Sequence, residues 1–160
     1  MEEIQLTSKE LEFAAKLWGL TEEEKKRILP NLTPYQKRFI RHWQDFFNYK
    51  VIQEVVWAKH CAEVAKPGDK FVYSGMGEFL PEESNFGCTF GMQVMLPIMH
   101  VVRDRICSGI DPTPMGNNYV RCIDKPPEDG GTGGALFKVY CIKSKVKVPP
   151  GIYRTGVKIG

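Results

Sequence analysis

Five cysteines hold most of the reactive chemistry available to this chain: Cys61, Cys88, Cys107, Cys122 and Cys141. Their number is odd and their spacing irregular, so they read as thiols rather than as a disulfide framework. No C-x-x-C pair occurs, which removes zinc-finger spacing, so a metal site here has to be assembled from distant segments. Three of the thiols fall where elements are expected to end. His60-Cys61 follows a strand, and Cys88 opens a helix, where the positive end of the dipole favours the thiolate. Cys122-Ile123-Asp124 closes a later strand, and its i, i+2 spacing puts Cys122 and Asp124 on one face.

Two chemistries compete for these residues. In the first, Cys61, Cys88 and Cys122 converge as thiolates on a soft metal, zinc or an iron–sulfur cluster, with Asp124, His60 or Cys141 as the fourth ligand. The chain is then a metal-binding or redox accessory module, such as a small subunit of a larger enzyme. In the second, it is a small enzyme in which Cys88 or Cys122 works with Asp124 or a histidine in nucleophilic or acid–base catalysis. His60 adjoins Cys61, but neighbours on a strand point to opposite faces. His100 lies about 120° around the helix from Cys88. A third reading is a purely structural or interaction protein whose cysteines are small buried hydrophobes, a role that suits Cys107 and Cys141.

Other motifs are missing. There is no G-x-x-x-x-G-K-[ST] loop, no G-x-G-x-x-G opening a helix, no G-x-S-x-G elbow and no H-E-x-x-H. The glycines at 130–134 lie between strands and read as a loose hairpin loop rather than a phosphate cradle.

The elements that must carry the thiols announce themselves early. Thr7-x-x-Glu10, Thr21-x-x-Glu24 and Thr33-Pro34-x-Gln36 are three capping boxes, each opening a helix. Gly19 stops the first helix and Pro30 the second. From Tyr35 onward Phe39, Trp43, Phe46 and Phe47 recur at helical spacing, as a core stripe or a partner-binding face. Near Asn48 the period changes. Val51–Trp57 is rich in β-branched residues and reads as a strand, and Lys70–Tyr73 as a second. A helix is expected over 88–107, with Met92, Met95, Met99, Val102 and Ile106 on one face and Pro97 kinking it. Strands over 118–123 and 135–142 follow, separated by a turn-rich loop.

The division expected is a helical segment over 1–48, an α+β cysteine-containing domain over 49–142 and an extended basic tail over 143–160. The tail holds Lys143, Lys145, Lys147, Arg154 and Lys158 and no acidic residue, within a chain of net charge +3. It reads as a solubilising arm or a contact for an acidic partner, with nucleic acid the weaker candidate. A protein partner or a second copy is expected at the 33–48 aromatic helix or at this tail. The polar start and the lack of an apolar run of about 18 residues point to the cytoplasm and away from membranes.

Residues about 51 to 142 resemble a family of small, uncharacterised bacterial and archaeal proteins. The shared pattern is a strand leading into Cys61, then Gly68-Asp69-Lys70-Phe71, then Cys88 opening a proline-containing helix that ends at Gly109. Cys122-Ile123-Asp124 and a closing strand, Ala135-Leu136-Phe137-Lys138-Val139, complete it. The chain departs from the pattern at Ile123, where the family often has proline, in the 126–134 loop, and in both terminal segments. The resemblance carries positions and no chemistry: Cys61, Gly68, Asp69, Cys88, Cys122 and Asp124. The fold expected is α+β, a small antiparallel sheet with one main helix packed across it and helices ahead of it.

Overall fold

The computed structural model describes residues 4–116 and 118–146. All three capping boxes form. Thr7, Thr21 and Thr33 each accept the backbone N–H three residues on, and Glu10, Glu24 and Gln36 return the bond. They open α1 (Ser8–Trp18), α2 (Glu22–Ile28) and α3 (Pro34–Arg41). Arg41 ties this segment together, bonding the Glu10 carboxylate at 3.2 Å and the Gln5 carbonyl at 2.6 Å.

Four strands follow: β1 (Tyr49–Lys59), β2 (Lys70–Ser74), β3 (Tyr119–Arg121) and β4 (Gly134–Lys143). Every pairing is antiparallel, in the order β2-β1-β4-β3. The result is an α+β fold. On one sheet face Val51, Gln53, Val55, Phe71, Tyr73, Phe137, Val139 and Cys141 are all buried. The β2 edge is closed by the chain itself: Leu80 N–H bonds the Val72 carbonyl at 2.8 Å, and Ser84 and Asn85 side chains accept from Val72 and Lys70. Such covering removes an open template for pairing with other chains.

The helix expected over 88–107 is two helices, α4 (Thr89–Gln93) and α5 (Leu96–Cys107). Proline explains the break. Pro97 cannot donate, and its ring would strike the carbonyl of Gln93, four residues back, where α4 ends. Pro97 is tolerated instead in the first turn of α5, where no donor is needed. The expected apolar face survives, with Met95, Met99, Val102 and Ile106 buried against the sheet. Gly109, at φ 69, ends α5, its N–H bonding the Ile106 carbonyl and that of Ile110 bonding Arg105. This is a Schellman closure.

The aromatic stripe is core. Trp43, Phe46 and Phe47 are buried in the same cluster as the sheet and α5. Three of its side chains are therefore unavailable as a partner face, although Tyr35 remains exposed. Trp43, Phe46 and Phe47 thus join the helical segment to the interior of the sheet, while Ala14, Leu32 and Ile40 form a smaller cluster of their own. Of the tail, Lys143 pairs with Asp111 at 2.7 Å, and Val146 packs with Val72 and Leu80. The partner and charge expectations for 147–160 lie outside the described residues. Among the described residues no helix is long and apolar enough to cross a membrane.

A shared interior has a measurable consequence. Phe46→Ala, in the segment ahead of the sheet, should cost about 3–5 kcal/mol of the whole protein's stability. Urea unfolding followed by far-ultraviolet dichroism and by tryptophan emission should move together. Separate transitions would mean that the helical segment unfolds alone.

Candidate functional site

The thiol end of the sheet is built around β1, the longest strand. Opposite β4 its register slips once, between Val55 and Trp57, so that Val56 has no partner. A bulge of this kind resets the alternation of side chains. Val55 points into the core, while Val56 and Trp57 are both exposed. Beyond the bulge Trp57 stands opposite Leu136, which on its other side stands opposite Arg121. The Arg121 guanidinium lies 6.0 Å from the Trp57 ring centre.

β1 then runs into His60 and Cys61. His60 has φ 53, a left-handed conformation uncommon outside glycine. Its carbonyl is faced by the loop of residues 124–133. A Cβ on Gly131 would lie 2.0 Å from the Lys125 carbonyl oxygen, and one on Gly133 would lie 1.9 Å from that of His60. These glycines are required by backbone contact, so the expected loose hairpin loop is a tight one. Ala62 N–H bonds the Thr132 carbonyl at 3.1 Å, fastening the Cys61 segment to the loop.

Asp124 organises that loop from within. Its carboxylate accepts from the Lys125 N–H at 2.8 Å, from the Thr132 N–H and from the Thr132 hydroxyl. The Thr132 hydroxyl first, then the backbone donor of Lys125, holds the carboxyl below the usual aspartate range. A carboxylate so held is a weak proton acceptor. The expected strand-face pairing with Cys122 also changes, because β3 stops at Arg121 and the Asp124 carboxylate is bonded within the loop that follows. Asp124 therefore serves the loop, and its part as the acid–base partner of Cys88 has no geometric support.

Cys88 is placed by a buried polar pin. Gln53, fully buried on β1, donates its Nε2 to the Gly91 carbonyl at 2.8 Å and accepts from the Tyr73 hydroxyl at 3.3 Å. Gly91 sits against the Phe71 and Phe137 rings, each 3.1 Å from where a Cβ would be. This lays α4 on the sheet with Cys88 at its start. The helix has only five residues and the Cys88 side chain makes no capping bond, so the dipole expected there is a fraction of a full one.

Cys122 joins the two. Its N–H bonds the Ala135 carbonyl at 2.8 Å, continuing the β3–β4 ladder. Burial pushes its thiol up, and negative charge on Cys88, Asp124 and Cys61 pushes the same way, against a bond from the Asp124 N–H. Charge on Cys88 and on Cys61, each from a segment far away in sequence, thus reaches Cys122. All three are partly exposed, whereas Cys107 and Cys141 are buried. Burial lifts the Cys141 thiol to about 12. Its sulfur lies 3.8 Å from that of Met115. Cys141 is six residues along β4 from Ala135, a run of about 20 Å, which removes it from the possible fourth ligands. The His60 side chain is exposed at the rim. Among the described residues no group of three or more His, Cys, Asp or Glu side chains stands ready to hold a metal ion.

Beside Cys122 opens a cavity of about 730 Å³. Trp57, Lys59, Arg121, Lys125, Glu128 and Asp129 also line it. Sequence reasoning missed it. The Trp57–Arg121 pair depends on the Val56 bulge, and nothing in the Val55-Val56 run marks one. No family model, curated protein or solved structure matches this chain.

Two substitutions test the site. Cys88→Ser removes one negative neighbour, so alkylation of Cys122 should proceed at lower pH than in the parent, read by iodoacetamide labelling and peptide mass mapping. An unmoved profile would show that the two sulfurs do not sense each other. Gly133→Ala should cost about 2 kcal/mol or more, because backbone must move to admit the methyl group. A thermal melt equal to the parent's would contradict the close approach.

Proposed function

We propose that this protein is a small thiolate-based accessory module in which Cys61, Cys88 and Cys122 cycle between free thiols and a disulfide. One observation carries the reading: Cys61, Cys88 and Cys122 are all partly exposed, unlike Cys107 and Cys141, and Cys88 and Cys122 pack against the same core cluster. Sulfurs gathered at the surface end of a sheet, partly exposed, are accessible to exchange in a way that buried structural thiols are not. The accessory role is supported by the commitment of Asp124 to its own loop.

A second reading has its own support. Charge on Cys88 and Cys61, which disfavours the Cys122 thiolate, is relieved by a bound cation, and a soft metal such as zinc or an iron–sulfur cluster prefers sulfur. Cys61, Cys88 and Cys122 would be its ligands, with Asp124 or His60 completing the set after a local shift.

Purification without oxygen, with thiol titration and metal analysis, separates the readings. One equivalent of a mild oxidant should join two of Cys61, Cys88 and Cys122 within one chain, reversibly, and leave Cys107 and Cys141 free by mass mapping. Linkage only between chains, or no linkage, would sink the disulfide reading. Zinc or iron retained by the parent and lost from Cys122→Ser would favour the metal reading.

A further inference from the structure

The sheet has a second face that the core does not use. Register places Arg121, Leu136 and Trp57 in one row across β3, β4 and β1. The next row on that face is Tyr119, Lys138, Glu54 and Lys70, and the one after it is Tyr140, Ile52 and Val72. Rows on one face lie about 7 Å apart along the strands. The buried cluster that α5 joins is on the opposite face. On the outer face Val72 is covered by Leu80 and Val146, but Trp57 is 42% and Tyr119 53% exposed, and Tyr140 is half-buried.

Cations stand among these rings. The Arg121 guanidinium lies 6.0 Å from the Trp57 ring centre, and the Lys138 ammonium lies 5.8 Å from that of Tyr140. Lys59 and Lys125 line the cavity of about 730 Å³ beside Trp57 and Arg121. None of these four cations has a carboxylate partner among the described residues. Of the carboxylates nearby, Glu54 is taken by the Tyr140 hydroxyl at 2.8 Å and by Lys70 at 3.7 Å. Glu128 and Asp129, in the loop wall of the cavity, stand unpaired, which leaves four positive charges against two negative. Beyond Val146, which packs on this face, the sequence adds Lys147, Arg154 and Lys158 and no acidic residue.

We infer that this outer face binds single-stranded nucleic acid, with a base against Trp57 at the cavity and the strand crossing Lys138 toward Tyr140. Unpaired bases stack on aromatic rings and guanidinium planes while their phosphates meet the cations between. A duplex keeps its base faces inside its own stack, and an acidic peptide would use the cations but leave Trp57 and Tyr119 without a stacking partner. The inference is independent of the thiol reading and uses none of the cysteines.

The test uses the full chain, reduced, and a fluorescein-labelled DNA strand of about 15 nucleotides without self-complementarity, read by anisotropy at low ionic strength. The parent should bind this strand about tenfold more tightly than the same strand annealed to its complement, or than a labelled oligoglutamate. Trp57→Ala should weaken binding about tenfold, the loss of one stacked base, and leave the salt dependence unchanged. Lys138→Gln and Arg121→Gln should each weaken it severalfold and lower the slope of log affinity against log salt by about 0.7. Glu128→Gln should strengthen binding, and Lys9→Gln, exposed on α1, should leave it as in the parent. Melting temperatures check that each variant folds. Oligoglutamate bound as tightly as the strand would make an acidic peptide the partner and overturn the inference. Equal affinity for the duplex, or a Trp57→Ala variant that binds like the parent, would also overturn it, since either reduces the face to its charge.

Discussion

The ladder between β1 and β4 is the constraint on which the rest of the molecule hangs. It is the longest pairing in the sheet, and it is interrupted once, at Val56. Toward one end it packs against Trp43, Phe46 and Phe47 and so holds the helical segment. Toward the other it delivers Cys61 from β1 and, through β3, Cys122. Antiparallel register admits no half measures, since a slip of one residue turns every side chain to the wrong face. Val56 uses that rule locally. One unpaired residue turns Trp57 outward to stand by Arg121, without disturbing Val51, Gln53 and Val55 on the core face.

Buried polarity does the work of alignment. Gln53 has no exposure, and both ends of its amide are bonded, to Gly91 and to Tyr73. A satisfied buried amide adds little net stability, but any other placement of α4 would strand it. The position of Cys88 is therefore fixed by a hydrogen bond three residues away in sequence. Asp124 acts in the same manner at the opposite wall, turning a glycine-rich stretch into a closed loop against His60.

Much of this was legible in the residues. The three capping boxes, the β-branched run of β1, the apolar face of α5 and its stop at Gly109 are local signals, and each formed where local chemistry placed it. Cys107 and Cys141 are buried, in keeping with the packing role expected of them. Other features needed partners remote in sequence. Val55-Val56 looks like uninterrupted strand, because a bulge without glycine leaves no mark. The glycines at 131 and 133 look like slack until the Lys125 and His60 carbonyls are brought beside them. Asp124 looks like a catalytic carboxylate until Thr132 claims it. Pro97 marked a disturbance, but the choice between a kink and a break depended on how the sheet held α4.

The order of the strands has a consequence for how the protein is made. Among the described residues β3 pairs with β4 alone, and β4 is the last of the described strands to leave the ribosome. Cys61 and Cys88 are synthesised well before Cys122 has a ladder to join. Cys122 therefore takes its place beside the earlier thiols only after β4 has emerged to hold it.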